Sequence, residues 1–331
     1  MSSQFNFKEG VVYANGIELH YVEHGSGPLV LFCHGWPESW YSWRHQLQTV
    51  GDAGYRAVAL HMRGYGKTTQ PEDVEAYTIS SLVGDVVGSV VGLGESEAIV
   101  VGHDWGGPVA WYSALMRPDV FRAVAVLSVP FNPPFPLPAG IDLNDVMRES
   151  AAGRQYYRLF FQEQGVAEAD FERDVRKSML GVLYVFSGDI VRDQIHEIGW
   201  DGHFPIDETM TEQFVIPEKL PEWLTEADLD FYVKEHTAAG FSGGFNWYRN
   251  IKRLPAHLAP FVGKSLEQPA LYLYGEHDLV AGNTPEALHS MQATLPDLRK
   301  CLKFEGAGHW LQQERADEVN KELIEFFASL A

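Results

Sequence analysis

Along the first 130 residues, apolar positions fall into short runs separated by amphipathic stretches. Segments 11–13 and 17–22 flank Asn15 and Gly16 and predict a hairpin, because that dipeptide tolerates the positive φ of a tight turn. Residues 29–33, LVLFC, are apolar throughout, the pattern of a strand covered on both faces. Further strands are predicted at 56–61, 98–102 and 123–129, with helices near 43–51, 79–92 and 106–116. Such alternation predicts an α/β fold, a mostly parallel sheet with helices on both faces.

The pattern changes at residue 130. Pro130, Pro133, Pro134, Pro136 and Pro138 are too dense for a helix or a central strand. The next hundred or so residues read as helical, with Thr225 and Asp228 spaced as a capping box and Gly240 closing that helix. Strands at 270–274 and 300–304 and helices near 285–292 and 316–329 then resume the alternation. The expected organisation is a split α/β core, 1–132 and 262–331, interrupted by a helical cap at 133–261.

Composition adds exclusions. Apolar residues make up 45% and charged residues 21%, ordinary for a globular chain with a sizeable core. With 25 Lys and Arg against 45 Asp and Glu, the net charge of −20 disfavours nucleic acid and anionic membranes as partners. Cys33 and Cys301 lie far apart in apolar runs and are expected to be free buried thiols, which suits a reducing compartment. The start, MSSQFNFKEG, lacks the features of a signal peptide, and no apolar run is long enough to cross a bilayer. The end, ASLA, is not a peroxisomal address, so a cytoplasmic protein is expected.

Candidate chemistry begins at GHDWG (102–106), a strand-to-helix turn of the form G-x-D-x-G. It matches the nucleophile elbow with Asp104 where esterases keep Ser, and its glycines suit a turn with little room for Cβ atoms. Taken alone, it fits a capped strand–helix junction equally well. Three other segments favour the active-site reading. Residues 32–39 end a strand in a turn able to present backbone N–H groups, YGEHD (274–278) places Asp278 after a strand, and GAGHW (306–310) places His309 before the last helix. Nucleophile, acid, histidine is the α/β-hydrolase order, and each segment follows a predicted strand.

The choice of carboxylate over hydroxyl carries information. Serine attacking a saturated carbon would give an ether, which water does not readily cleave. A carboxylate gives an ester, which activated water can hydrolyse. Asp104 therefore points to substrates electrophilic at sp³ carbon: epoxides or alkyl halides.

Six segments discriminate further: HGWPESWYSWR (34–44), RGYGK (63–67), GHDWGG (102–107), YYRLFFQEQGVAE (156–168), NWYRN (246–250) and GHW (308–310). From about residue 10 to 328 the chain resembles the soluble epoxide hydrolases, most closely the hydrolase domain of the mammalian and plant enzymes. No counterpart of the mammalian form's N-terminal phosphatase domain is expected here. The resemblance implies the α/β-hydrolase fold, a mostly parallel eight-stranded sheet flanked by helices with an inserted helical cap. It implies Tyr157 and Tyr248 as the cap tyrosines that hold the epoxide oxygen. Tyr156 is adjacent, and alignment on the Phe-Phe-Gln tail favours Tyr157. It further implies a cis peptide before Pro37 and an oxyanion hole from the backbone N–H groups of Trp36 and Trp105. Asp278 would orient His309, which would activate water against the ester. The expected substrate is a small apolar epoxide, with no cofactor or metal, and the protein a monomer or homodimer.

Two rival readings follow from the same residues. Haloalkane dehalogenases share the Asp nucleophile followed by Trp, but often carry Asn in the position of Trp36; fluoroacetate dehalogenases usually have Arg where Trp105 stands. A non-catalytic ligand-binding relative commonly loses a triad member, whereas all three are present here. Other features carry less. A P-loop ending at Lys67 would need glycine where His61 stands, and His196, Asp201 and His203 lack a metal-ligand spacing. His34 and His103 are expected to fix loops, and Trp40, Phe160, Phe161 and Trp310 to form pocket wall or core.

Overall fold

The computed structural model describes residues 6–138 and 140–330; the leader and C-terminal readings rest partly on residues 1–5 and 331, which lie outside the described residues. The hairpin β1 (Lys8–Ala14) and β2 (Ile17–Gly25) turns at Asn15 and Gly16, both with positive φ. The remaining sheet strands are β3 (Leu29–Cys33), β4 (Arg56–Leu60), β5 (Ala98–His103), β6 (Phe121–Leu127), β7 (Ala270–Gly275) and β8 (Leu298–Phe304). They form one eight-stranded sheet in the order β1-β2-β4-β3-β5-β6-β7-β8. Only β2 runs against its neighbours; every pair from β4 to β8 is parallel. This is the α/β-hydrolase fold.

Successive side chains of the central strands enter two different cores, which explains their unbroken apolar runs. Leu31, Val100 and Val126 pack on one side with α2 (Ile79–Gly92) and α3 (Gly106–Met116). Val30, Phe32, Ile99 and Val101 pack on the other, against α1 (Arg44–Asp52) and the last helix, Ala316–Ala328. Strand β6 begins two residues earlier than expected and stops at Leu127, because Ser128 takes a left-handed conformation (φ 77°) that breaks the ladder.

Between β6 and β7 the chain adds no strand to the main sheet. The proline-rich stretch is irregular, and helices follow: α4 (Leu143–Ser150), α5 (Tyr157–Phe160), α6 (Val166–Phe171), α7 (Val175–Val185), α8 (Glu226–Ala239) and α9 (Ser242–Arg249). Helix α8 opens on the expected capping box: Thr225 Oγ1 accepts from Asp228 N at 3.2 Å, and Asp228 Oδ2 accepts from Thr225 N at 2.9 Å. The segment is less helical than its sequence suggested. Much of 193–224 is turns and a two-residue ladder of Gln155–Tyr156 with His203–Phe204, since Gly199, Gly202, Pro205, Pro217 and Pro221 interrupt helix formation. Among the described residues no helix is long and apolar enough to cross a membrane. Cys33 and Cys301 are free, the first buried and the second only half-buried.

Candidate active site

Asp104, Ser128, Asp278 and His309 follow β5, β6, β7 and β8, at the carboxyl edge of the parallel sheet, where loops converge without a ladder to complete. Asp104 sits at φ 50°, a left-handed turn that costs a non-glycine residue roughly 1–2 kcal/mol. Close packing forces the turn: a Cβ on Gly106 would stand 2.0 Å from the Cys33 carbonyl oxygen. A Cβ on Gly35 would stand 2.2 Å from Asp104 Oδ1 and 2.6 Å from the Trp105 nitrogen, so the glycine lets this loop meet the carboxylate. The Trp36 N–H donates to Asp104 Oδ1 at 2.7 Å, and the Trp36–Pro37 peptide is cis.

His309 stands between two carboxylates. Its Nδ1 lies 3.1 Å from both Asp278 oxygens, and its Nε2 lies 3.4 Å from Asp104 Oδ2. Burial alone would lower the histidine pKa, but the charges of Asp278 and Asp104 and their hydrogen bonds override it and raise it well above the ordinary value. Burial likewise works against ionisation of Asp104, and the His309 contact outweighs it, holding that carboxyl below its usual range. The free site is therefore a carboxylate–imidazolium pair.

Supporting groups hold this arrangement. Ser128 Oγ donates to Asp278 Oδ2 at 2.6 Å and lies 3.0 Å from His309 Nδ1. Glu314 accepts the backbone N–H groups of Gly188, Gly308 and Trp310 at 2.9–3.0 Å, fixing the histidine loop. Behind it, fully buried Glu38 and His103 meet at 2.7 Å, while His103 Nε2 donates to the His309 carbonyl at 2.7 Å. His34 accepts from the Met62 N–H and donates to the Gly35 carbonyl, a neutral tautomer in keeping with the lowering of its pKa by burial to about 4. Both histidines thus fix loops, as expected.

Tyr157 and Tyr248 face Asp104 from the inserted helices, at 4% and 2% exposure and with ring centroids 5.8 Å apart. Tyr156 turns away and stacks on His203 at 4.6 Å. Burial raises the pKa of both facing phenols. At Tyr157 the Arg158 guanidinium opposes that rise: its Nε donates to the phenol oxygen at 3.0 Å, leaving the phenol hydrogen free to point elsewhere. Gln162 ties the two segments together by donating to the carbonyls of Arg158 (2.8 Å) and Tyr248 (3.0 Å). Sequence reasoning missed Arg158, Gln162 and Ser128. Arg158 lay inside a quoted segment, and a cation next to the first tyrosine was its only signal.

Two cavities meet at Asp104, Tyr157 and Tyr248. One, of about 350 Å³, runs under the insertion past Tyr112, Leu143 and Leu254 to Phe135 at its rim. The other, of about 10 Å³, is bounded by Trp36, Phe186, Val280, His309 and Trp310. Phe160 and Phe161 pack in the core, with Phe161 wholly buried against Trp36 at 4.8 Å. Trp40 packs edge-on to Phe231 at 5.6 Å.

Known proteins share this architecture. Residues 28–316 match the family described as the alpha/beta hydrolase fold. Epoxide hydrolase 1 of Siraitia grosvenorii is 38% identical, covering 96% of this chain and 97% of its own. Bifunctional epoxide hydrolase 2 of Sus scrofa is 35% identical over 96% of this chain, which spans 54% of the pig protein. The solved epoxide hydrolase from an endophytic Streptomyces superposes with a TM-score of 0.92 at 42% identity, covering 98% of this chain and 96% of that one. Likeness of this extent makes the chain a member of the α/β hydrolase fold family and, within it, of the epoxide hydrolases.

Proposed function

We propose that the protein hydrolyses epoxides to vicinal diols through an ester on Asp104. The observation that carries this reading is the placement of one carboxylate opposite two phenols across a shared cavity, with a histidine 3.4 Å behind the carboxylate. In the first step an Asp104 oxygen attacks a ring carbon, the C–O bond of the epoxide breaks, and the released oxygen takes the Tyr157 proton while Tyr248 donates a hydrogen bond. Tyr157 suits the proton transfer because Arg158 stabilises the phenolate left behind. A halide leaves as a stable anion and would leave the two phenols without a task.

Ester formation discharges Asp104 and removes one of the two carboxylates that keep His309 protonated. The imidazolium can then give up its proton, which makes good the one that Tyr157 lost, and the neutral imidazole accepts a proton from water attacking the ester carbonyl, while Asp278 orients the ring. The N–H groups of Trp36 and Trp105 stabilise the oxyanion, an effect worth about 3–4 kcal/mol per donor in comparable sites. Collapse breaks the acyl–oxygen bond, the departing oxygen takes the remaining proton of the added water, and the diol leaves with Asp104 restored as a carboxylate. In this scheme residues 133–261 are the cap over a core of 1–132 and 262–331.

Single turnover in heavy-oxygen water tests the scheme. The label is expected in the Asp104 carboxylate after one cycle and not in the diol; unlabelled protein with labelled diol would overturn it.

A further inference from the structure

From the two cavities, and resting on the epoxide reading above, we infer that this site is selective for terminal epoxides, those with one unsubstituted ring carbon and a single apolar substituent. Asp104, Tyr157 and Tyr248 line both spaces, so an epoxide held between carboxylate and phenols has one carbon facing each. The large side, about 350 Å³, has room for an alkyl chain or aryl ring among Tyr112, Leu143, Ile251 and Leu254. The small side, about 10 Å³, is at the lower limit for one water, and a cavity of that order cannot hold an alkyl or aryl group.

Bonds and packing hold the wall of the small side in place. Trp310 Nε1 donates to the Leu183 carbonyl at 2.8 Å, and the Phe186 ring packs on Trp200 at 4.9 Å. The Phe186 carbonyl accepts the His309 N–H at 2.9 Å, so this wall is bonded to the loop that carries the base. His309 lines only the small side, so the water it activates must stand there. A second substituent would meet the wall and take the water's place, whereas a terminal CH₂ leaves both undisturbed. The shape thus acts on both steps, admitting the substrate and keeping space for hydrolysis.

The test compares the terminal epoxide of a linear octene with the trans epoxide of its centrally unsaturated isomer, two compounds of one formula. For the unmodified protein kcat/KM for diol formation is expected to favour the terminal isomer by about 100-fold or more, since a misfit of this kind acts through transition-state binding. Phe186→Ala and, separately, Val280→Ala are expected to raise kcat/KM for the internal isomer about 10-fold, narrowing the ratio. Values within threefold of each other for the unmodified protein, or a preference for the internal isomer, would overturn the inference without recourse to any variant. Failure of both isomers to give diol or an Asp104 ester would overturn the epoxide reading itself, and this inference with it.

Discussion

In the proposed scheme Arg158 divides labour between two chemically identical groups. Its Nε occupies the acceptor side of the Tyr157 oxygen, and among the described residues no hydrogen bond of the Tyr248 hydroxyl takes a comparable form. Replacing Arg158 by Gln is expected to slow ester formation about 10-fold, a part of the roughly 10²–10⁴-fold that acid catalysis contributes, and to leave hydrolysis of the ester unchanged. Rapid-quench measurement of the two phases checks this, and Arg158→Lys should recover part of the loss; equal slowing of both phases would count against the assignment. Asp104, Asp278 and His309 were legible in the sequence as candidates because each follows a predicted strand, in the order nucleophile, acid, histidine. Ser128 was not, since SVP (128–130) continues an apolar run and nothing local reveals that Ser128 turns to φ 77°. Its conformation is held by Tyr272 and Asn283, which both donate to its carbonyl from more than 140 positions away.

At the scale of elements, the geometry of the two tyrosines depends on how α9 meets α5 and α6. Arg249, the last residue of α9, pairs with both oxygens of Glu168 at 2.9–3.0 Å and donates to the carbonyls of Phe161 and Glu163. Glu168 in turn caps α6 by accepting the Gly165 N–H at 2.9 Å. Arg249→Met would leave a largely buried carboxylate unpaired and is expected to cost about 3–5 kcal/mol, read as a fall in the urea midpoint. An unchanged midpoint would show that the pair is dispensable. Periodicity reveals such helices but not this lock, whose partners lie 81 positions apart. The weaker helicity of 193–224 was legible in its glycines and prolines.

For the whole molecule, acid is the condition expected to separate insertion from core. Arg44 on α1 reaches Asp228 on α8 at 3.2 Å, and Tyr41 donates to the same carboxylate at 2.8 Å. Burial would raise the pKa of Asp228 and of Glu168, but Arg44 and Arg249 respectively outweigh it and hold both below their ordinary values. A depressed native pKa gives stability that is fully present above the unfolded value, about 4 for these groups, and lost as pH falls through the native value. Hydrogen exchange is expected to rise first in α6, α8 and α9 as pH drops below about 4, with β3 and β5 still protected. Simultaneous loss of protection in both regions would show that the contacts do not act separately. The alternation of strands and helices in the core could be anticipated from the pattern of apolar runs. These bridges could not, because they join residues 184 and 81 positions apart.

Phe186 and His309 share a backbone hydrogen bond, and Glu314 clamps Gly188 of the insertion together with Gly308 and Trp310 of the core. Swinging the insertion open like a hinged lid would therefore drag His309, the proposed general base, out of line at every turnover. Traffic through such a molecule would then use an opening in a standing wall. The wider cavity reaches the surface at Phe135, 53% exposed in the irregular proline-rich stretch that precedes α4. Substrate and diol would then pass along one corridor in opposite directions, so the rate at which product clears it becomes a property of that short stretch of chain, not of the catalytic groups.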